Sequence, residues 1–158
     1  MKLRRENSYD ATVDEVLAML FDKAYREKVS AAKQALTSEI TIERDGETTT
    51  VIVDETQAPS IPSFARKFVG DSVQLVQRAT WTGSSADFEV EIPGKPGHLK
   101  GTLTLTPDGA RTREVIDAEV TVKVPLLGGK LEELIGGIFG KTLETQNAVA
   151  VAWLAGDR

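Results

Sequence analysis

One long helix pattern in the last quarter of the chain constrains the fold more than any other feature. From 124 to 155, apolar residues recur at steps of three and four, which is the period of one helix face. About 28 helical residues extend roughly 42 Å at ~1.5 Å per residue, which is enough to cross a small domain. The face comprises Leu127, Leu131, Leu134, Ile135, Ile138, Phe139, Thr142, Gln146, Val149 and Trp153.

The residues before this helix alternate between apolar and polar, which is typical of strands with one covered face. The predicted strands cover residues 3–9, 38–44, 47–55, 72–82, 86–92, 99–105 and 112–124. Asp45-Gly46 and Pro107-Asp108-Gly109 predict turns between neighbouring strands. Six consecutive strands with short links predict an antiparallel meander, because parallel neighbours need long crossovers.

Two short helix patterns, over 13–21 and 24–29, follow the first strand. Thr12 and Glu15 have the spacing of a capping box, which predicts where the first of these helices begins. The resulting order, β-αα-β6-α, predicts an α+β fold. In it, a curved antiparallel sheet of about seven strands wraps around the long C-terminal helix.

Length, charge and cysteine content exclude several classes of protein. A chain of 158 residues fits one domain, 1–158, with one substantial core. A net charge of −5 argues against a nucleic-acid binder, and the absence of cysteine excludes disulfides and thiolate metal sites. No apolar run approaches the ~20 residues of a membrane span, and no secretory signal begins the chain. We therefore expect a cytoplasmic protein with no stable membrane insertion and no cofactor.

Three local patterns, together with the element order, carry a family resemblance. They are Tyr9-Asp10-Ala11 leading to 16–20 and Asp22, the run 62–70 followed by Trp81, and the glycine-dotted last helix that ends at Trp153. The chain resembles the helix-grip fold of the SRPBCC superfamily, which includes START-like lipid-transfer domains and the birch pollen allergen. At closer range it is similar to an actinobacterial family of uncharacterised proteins within that superfamily.

The resemblance implies a hydrophobic cavity between the curved sheet and the long helix, used for lipids, sterols, polyketides or other apolar molecules. The expected occupant is an apolar small molecule or lipid, in a cavity of order 300–1,000 Å³. The predicted ligand-binding residues are Leu75, Gln77, Trp81, Phe88, Val90, Leu103, Val120, Ile135, Ile138, Phe139 and Gln146. Fold alone does not determine function, so carriage or sensing of such a molecule is a hypothesis.

Polar residues on covered faces have two interpretations. Asn7, Gln77 and Gln146 share register with apolar neighbours, and a buried polar group requires a hydrogen-bond partner. They either orient the polar end of a ligand or form hydrogen bonds within the core.

Catalytic groups are scarce in the sequence. His98 is the sole histidine and stands beside the turn at 93–97, which predicts a surface loop position. Without it no Ser-His-Asp triad or histidine metal site can form. Paired carboxylates such as Asp54-Glu55 are expected at the solvated surface. No catalytic residue or metal ligand is predicted; a polyketide cyclase or dehydratase and a protein-interaction module remain the alternatives.

Five glycines in the last helix, Gly128, Gly129, Gly136, Gly137 and Gly140, need a reason, because each costs up to about 1 kcal/mol relative to alanine. They either leave cavity volume and let the helix flex, or Gly128-Gly129 lies in the preceding loop and the other three permit close contact with the sheet.

Two segments concern access to the cavity. Residues 59–70 contain two prolines and are expected to form a rim or lid over the opening. Residues 125–141 resemble an interfacial amphipathic helix with few cationic residues, which allows at most a transient membrane contact. The sequence does not predict the oligomeric state.

Overall fold

Seven strands and three of the four helices follow one another in the predicted order, and the remaining helix lies within the segment predicted to form a rim. The computed structural model describes residues 1–158. Its elements are β1 (Lys2–Tyr9), α1 (Val13–Leu20), α2 (Lys23–Ala32), β2 (Thr37–Asp45), β3 (Thr48–Gln57), α3 (Ser63–Val69), β4 (Val73–Thr82), β5 (Ser85–Glu91), β6 (Gly97–Asp108), β7 (Arg111–Val122) and α4 (Gly128–Leu154). The α+β fold with a long C-terminal helix is therefore confirmed.

The sheet is a single antiparallel layer with the strand order β1-β7-β6-β5-β4-β3-β2. Strands β2 to β7 form the predicted meander, because each is joined to the next by a short link. Strand β1 pairs with β7, with Leu3 opposite Ala118 and Asn7 opposite Glu114. The first and last strands of the chain thus lie side by side.

Two predicted turns are displaced in the structure. The β2–β3 turn is formed by Gly46 and Glu47, with Gly46 at φ 63°, one residue later than predicted. Strand β6 continues through Pro107, which lies opposite Thr112. Proline is tolerated there because β5 ends opposite Thr104, so the missing N–H leaves no β5 carbonyl unpaired.

The first two helices begin at residues whose side chains cap them, and the cap of α1 is the predicted one. The Thr12 hydroxyl accepts from the Glu15 N–H at 3.2 Å, and the Glu15 carboxylate accepts from the Thr12 N–H at 3.2 Å, so the capping box is present. The Asp22 carboxylate caps α2 by accepting from the Ala24 N–H. None of the four helices combines the length and apolarity needed to cross a membrane.

Three of the five glycines of α4 allow close contact with the sheet. A Cβ at Gly128 would lie 2.6 Å from the Val122 carbonyl oxygen, one at Gly136 would meet Met1, and one at Gly140 would lie 3.0 Å from Arg5. These glycines therefore let α4 pack directly on β1 and β7. Gly129 and Gly137 meet no neighbour, and Gly128-Gly129 begins the helix rather than belonging to the preceding loop.

Candidate functional site

Three neighbouring pockets that share lining residues lie between the sheet and α4, and we call them the outer, middle and inner sections of a channel. The outer section has room for water-sized molecules over about 90 Å³, the middle section over about 80 Å³ and the inner section over about 30 Å³. Leu75, Ile135 and Ile138 line both the outer and the middle section, whereas Gln77 and Phe139 line both the middle and the inner section. The free space is smaller than the cavity expected from the sequence, because these shared side chains narrow it.

The opening of the outer section lies under the segment predicted to be a rim. Pro59, Ile61, Phe68 and Val69 line it from one side. This segment is anchored by Ala65 of α3, which is fully buried. The opposite side of the opening is formed by the turn before β6 and by the first half of α4.

The structure brings most of the predicted ligand-binding residues together along this channel. The ten that line it are Leu75, Gln77, Trp81, Phe88, Val90, Leu103, Ile135, Ile138, Phe139 and Gln146. Phe88 and Phe139 stack across it with ring centroids 6.2 Å apart. Val120 does not line it; this residue is fully buried on β7, where α4 packs directly on the sheet. Leu99, its partner on β6, lines the middle section instead.

An ion pair lines the middle section. Lys33 Nζ lies 2.7 Å from Glu55 Oε1, and only 3% of the Glu55 side chain is exposed. Ser30 donates to Glu55 Oε1 at 2.8 Å, and Gln57 donates to Oε2 at 2.7 Å. Burial alone would raise the pKa of Glu55, but the charge of Lys33 and these hydrogen bonds outweigh it and hold the pKa below its ordinary value.

The expectation that Glu55 is solvated was therefore wrong. Glu55 follows Val51 and Val53 on the covered face of β3, where strand alternation places every second residue. That alternation was the available signal. The side chain of the adjacent Asp54 lies on the other face of β3. Its carboxylate accepts a hydrogen bond from the Gln74 side chain at the surface.

A second buried carboxyl lies behind the channel wall. Asn7 Nδ2 and the Tyr9 hydroxyl donate to Glu114 Oε1 at 2.9 and 3.0 Å, while Oε2 is buried without a partner. Burial raises the pKa of Glu114, and the two hydrogen bonds and the charge of Arg26 offset this only in part. Of the two alternatives for Asn7, the structure supports a hydrogen bond within the protein, because Asn7 donates to Glu114 and does not line the channel.

The inner section ends at polar groups. Arg26 of α2 lines it together with Gln77 and Gln146. The indole Nε1 of Trp81, in the same section, is buried without a hydrogen-bond partner. The Gln146 side chain therefore lies at the channel, while its backbone carbonyl accepts from the Tyr25 hydroxyl at 3.4 Å.

His98 lies in strand β6 and not in a loop, because that strand begins already at Gly97. It is exposed and pairs in register with Glu91 of β5. It lines the middle section, and none of the ion pairs includes it.

Replacing Glu114 with glutamine should change how stability depends on pH. A carboxyl whose pKa is raised by folding stabilises the protein most below its ordinary pKa near 4.5, and this stability is lost as the pH rises through the folded value. Glu114→Gln keeps the acceptor for Asn7 and Tyr9 and removes the charge. Its free energy of unfolding relative to wild type should therefore increase as the pH rises above about 4.5.

Urea unfolding across this range measures the difference. Glu119→Gln, at an exposed position on the same strand, is the matched control and should run parallel to wild type. If the free energies of unfolding of Glu114→Gln and wild type differed by the same amount at all pH values, this would contradict the conclusion that burial raises the pKa of Glu114.

Solved structures share this architecture along nearly their whole length. A START superfamily protein from Mycobacterium smegmatis is 15% identical with a TM-score of 0.61, over 97% of this chain and 98% of that one. Norcoclaurine synthase from Thalictrum flavum, in complex with dopamine and hydroxybenzaldehyde, is 13% identical with a TM-score of 0.56, over 94% and 85%. At these identities the likeness concerns the fold alone, and it confirms the predicted helix-grip fold.

Sequence comparison identifies nearer relatives. An uncharacterized protein of Mycobacterium tuberculosis is 22% identical over 117 residues, which are 70% of this chain and 67% of that protein. Residues 5–154 match a family whose description is "Protein of unknown function (DUF2505)". Since the match extends from β1 to the end of α4, the chain belongs to the DUF2505 family.

Proposed function

We propose that this protein binds a hydrophobic, lipid-like small molecule in the channel and carries or senses it. The observation that supports this is the mainly apolar lining of the three sections, which share Leu75, Ile138 and Phe139 at their junctions. In the outer section, 11 of the 16 lining residues are hydrophobic. Transfer of apolar surface from water into such a channel is favourable, and binding sites for small molecules are typically lined in this way.

The shape of the channel favours an extended chain over a bulky fused-ring ligand. Leu131 lines the outer section and Gln146 the inner one, and the helix between them rises roughly 22 Å at ~1.5 Å per residue. The free space along this length is small, with about 90, 80 and 30 Å³ in the outer, middle and inner sections. A flexible hydrocarbon chain can adapt to such limited space by small rotamer changes.

Binding is a better account of the channel than catalysis. An acid–base enzyme needs a titratable group in contact with its substrate. Of the titratable groups that line the middle section, Glu55 and Lys33 are held in an ion pair and His98 is exposed. The buried groups with raised pKa values, Glu114, Tyr9 and Tyr25, line none of the three sections. Burial raises the pKa of Tyr25 to about 12, which makes its phenol a poor base at neutral pH.

The test is occupancy of the channel by a neutral apolar probe. Leu75→Trp places a larger side chain where the outer and middle sections meet and should weaken binding of the neutral dye phenylnaphthylamine by about tenfold or more. Thr80→Trp, at an exposed position of the same strand, is the control and should bind the dye like wild type. Dye fluorescence titrations give both affinities.

Native mass spectrometry of protein purified without added ligand is the second readout, and we expect retained lipid in wild type and less in Leu75→Trp. A melting curve confirms that each variant is folded. The proposal fails if wild type binds no dye and retains no lipid, or if folded Leu75→Trp binds the dye as wild type does.

A further inference from the structure

A buried cation without a counter-ion lies at the inner end of the channel. Only 7% of Arg26 is exposed, and the residue lines the inner section. Its Nε donates to the Leu20 carbonyl at the end of α1 at 2.9 Å, and its Cζ lies 5.7 Å from the centre of the Tyr25 ring. Nε uses one of five N–H donors, and the structure gives the two terminal nitrogens no hydrogen bond.

No carboxylate of the protein neutralises this guanidinium directly. None of the ion pairs within 4.0 Å includes Arg26. Glu114 is near enough to interact with it electrostatically, but Asn7 and Tyr9 hold its Oε1 and burial favours its uncharged form. A buried charge is costly unless it is paired and hydrogen-bonded, so Arg26 lacks a partner that a ligand can supply.

The other polar groups of the inner section can also donate hydrogen bonds to an acceptor group of a ligand. Trp81 Nε1 is a donor only, it is buried, and it has no partner. Gln77 and Gln146 line the same section and each carries an amide N–H₂ donor. The free space of about 30 Å³ there fits a group no larger than one or two water molecules. Donors around a small space, beyond a long apolar channel, match an anionic end group.

We propose that the ligand is a long-chain carboxylic acid whose carboxylate binds Arg26 at the inner end of the channel. Its hydrocarbon chain then runs past Phe139 and Ile138 towards the opening under α3. The planar guanidinium suits a carboxylate because two parallel N–H donors meet two oxygens. This assignment rests on the proposed function and specifies the chemistry of the ligand.

The first experiment compares decanoic acid with decanol, which has the same chain and no charge. Wild type should bind the acid more tightly than the alcohol by on the order of tenfold, since a hydrogen-bonded charge adds to a common apolar term. Displacement of phenylnaphthylamine measures both affinities. Arg26→Gln should abolish the preference by weakening the acid, with the alcohol little changed. Lys23→Gln removes an exposed cation of the same helix and should keep the preference.

The second experiment uses wild type alone, so it does not depend on the folding of Arg26→Gln. Trp81 lines the inner section, and bromine quenches indole fluorescence at short range. Decanoic acid brominated next to the carboxylate should quench Trp81 more strongly than the isomer brominated at the far end of the chain. Trp153 does not line the channel sections and provides a constant background in both measurements.

The outcomes separate this inference from the proposed function. Equal binding of acid and alcohol, stronger quenching by the far-end isomer, or an acid preference that persists in Arg26→Gln each overturns the role of Arg26 and leaves apolar binding intact. Failure of dye, acid and alcohol alike overturns both.

Discussion

Lys33→Met is expected to destabilise the folded protein by about 3–5 kcal/mol at neutral pH, because it leaves the charge of Glu55 buried and unpaired. Glu55 is 3% exposed, and Lys33 Nζ at 2.7 Å is the only cation in contact with it. Ser30 and Gln57 still donate to the carboxylate, but two neutral donors do not replace a full positive charge.

The dependence on pH identifies the cause. Because folding lowers the pKa of Glu55, its contribution to stability is present above its ordinary pKa near 4.5 and is lost as the pH falls through the folded value. In Lys33→Met this contribution is absent, so the difference from wild type should shrink as the solution is acidified. Urea unfolding at several pH values measures it.

Two further variants complete the test. Glu55→Gln combined with Lys33→Met removes both charges and should recover most of the loss, because no charge is then left unpaired. Lys28→Met, on the same helix, breaks an exposed ion pair with Asp157 at 3.5 Å and should cost no more than about 1 kcal/mol. A loss below 1 kcal/mol for Lys33→Met would contradict the burial of the pair.

The sequence predicts most of the architecture because its strands are joined in order by short links. Alternation identifies the covered face of each strand, and the antiparallel meander then follows without knowledge of long-range contacts. The pairing of β1 with β7 has no such local signal. The hydrogen bond from Asn7 to Glu114 joins residues 107 positions apart, and it therefore becomes visible only in the folded chain.

The sequence predicts the apolar residues that line the channel better than it predicts the polar ones. Strand and helix periods place Leu75, Phe88 and Ile138 on faces that meet, whereas Val120 shares the covered face of β7 but lies where α4 is in direct contact. Arg26 belongs to the buried stripe of α2, with Val29 three residues on. The spacing of Arg26 from Val29 could be recognised in the sequence as that of one helix face. Its burial could not be predicted, because arginine is usually found at the protein surface.

The second large effect is expected at Gly101, in the middle of β6. Gly101→Val should destabilise the protein by about 3 kcal/mol or more, because overpacking a close-packed interior forces backbone shifts. A Cβ at this position would collide with the backbone carbonyl of Asp117 on β7 and would lie 2.9 Å from the ring of Phe88 on β5. Backbone on one side and a stacked aromatic on the other leave no flexible group to yield.

The consequence reaches the channel, since Phe88 stacks on Phe139 at 6.2 Å and both rings line the inner section. Gly101→Ala, the milder change, should lose stability in the same direction and also weaken dye binding by displacing Phe88. Gly137→Ala is the matched control: its Cβ meets no neighbour, so the helical preference for alanine should stabilise the protein by about 0.5–1 kcal/mol. Urea unfolding and dye titration of all three variants test this expectation, and a Gly101→Ala protein as stable as wild type would contradict the close packing of β6 against β7.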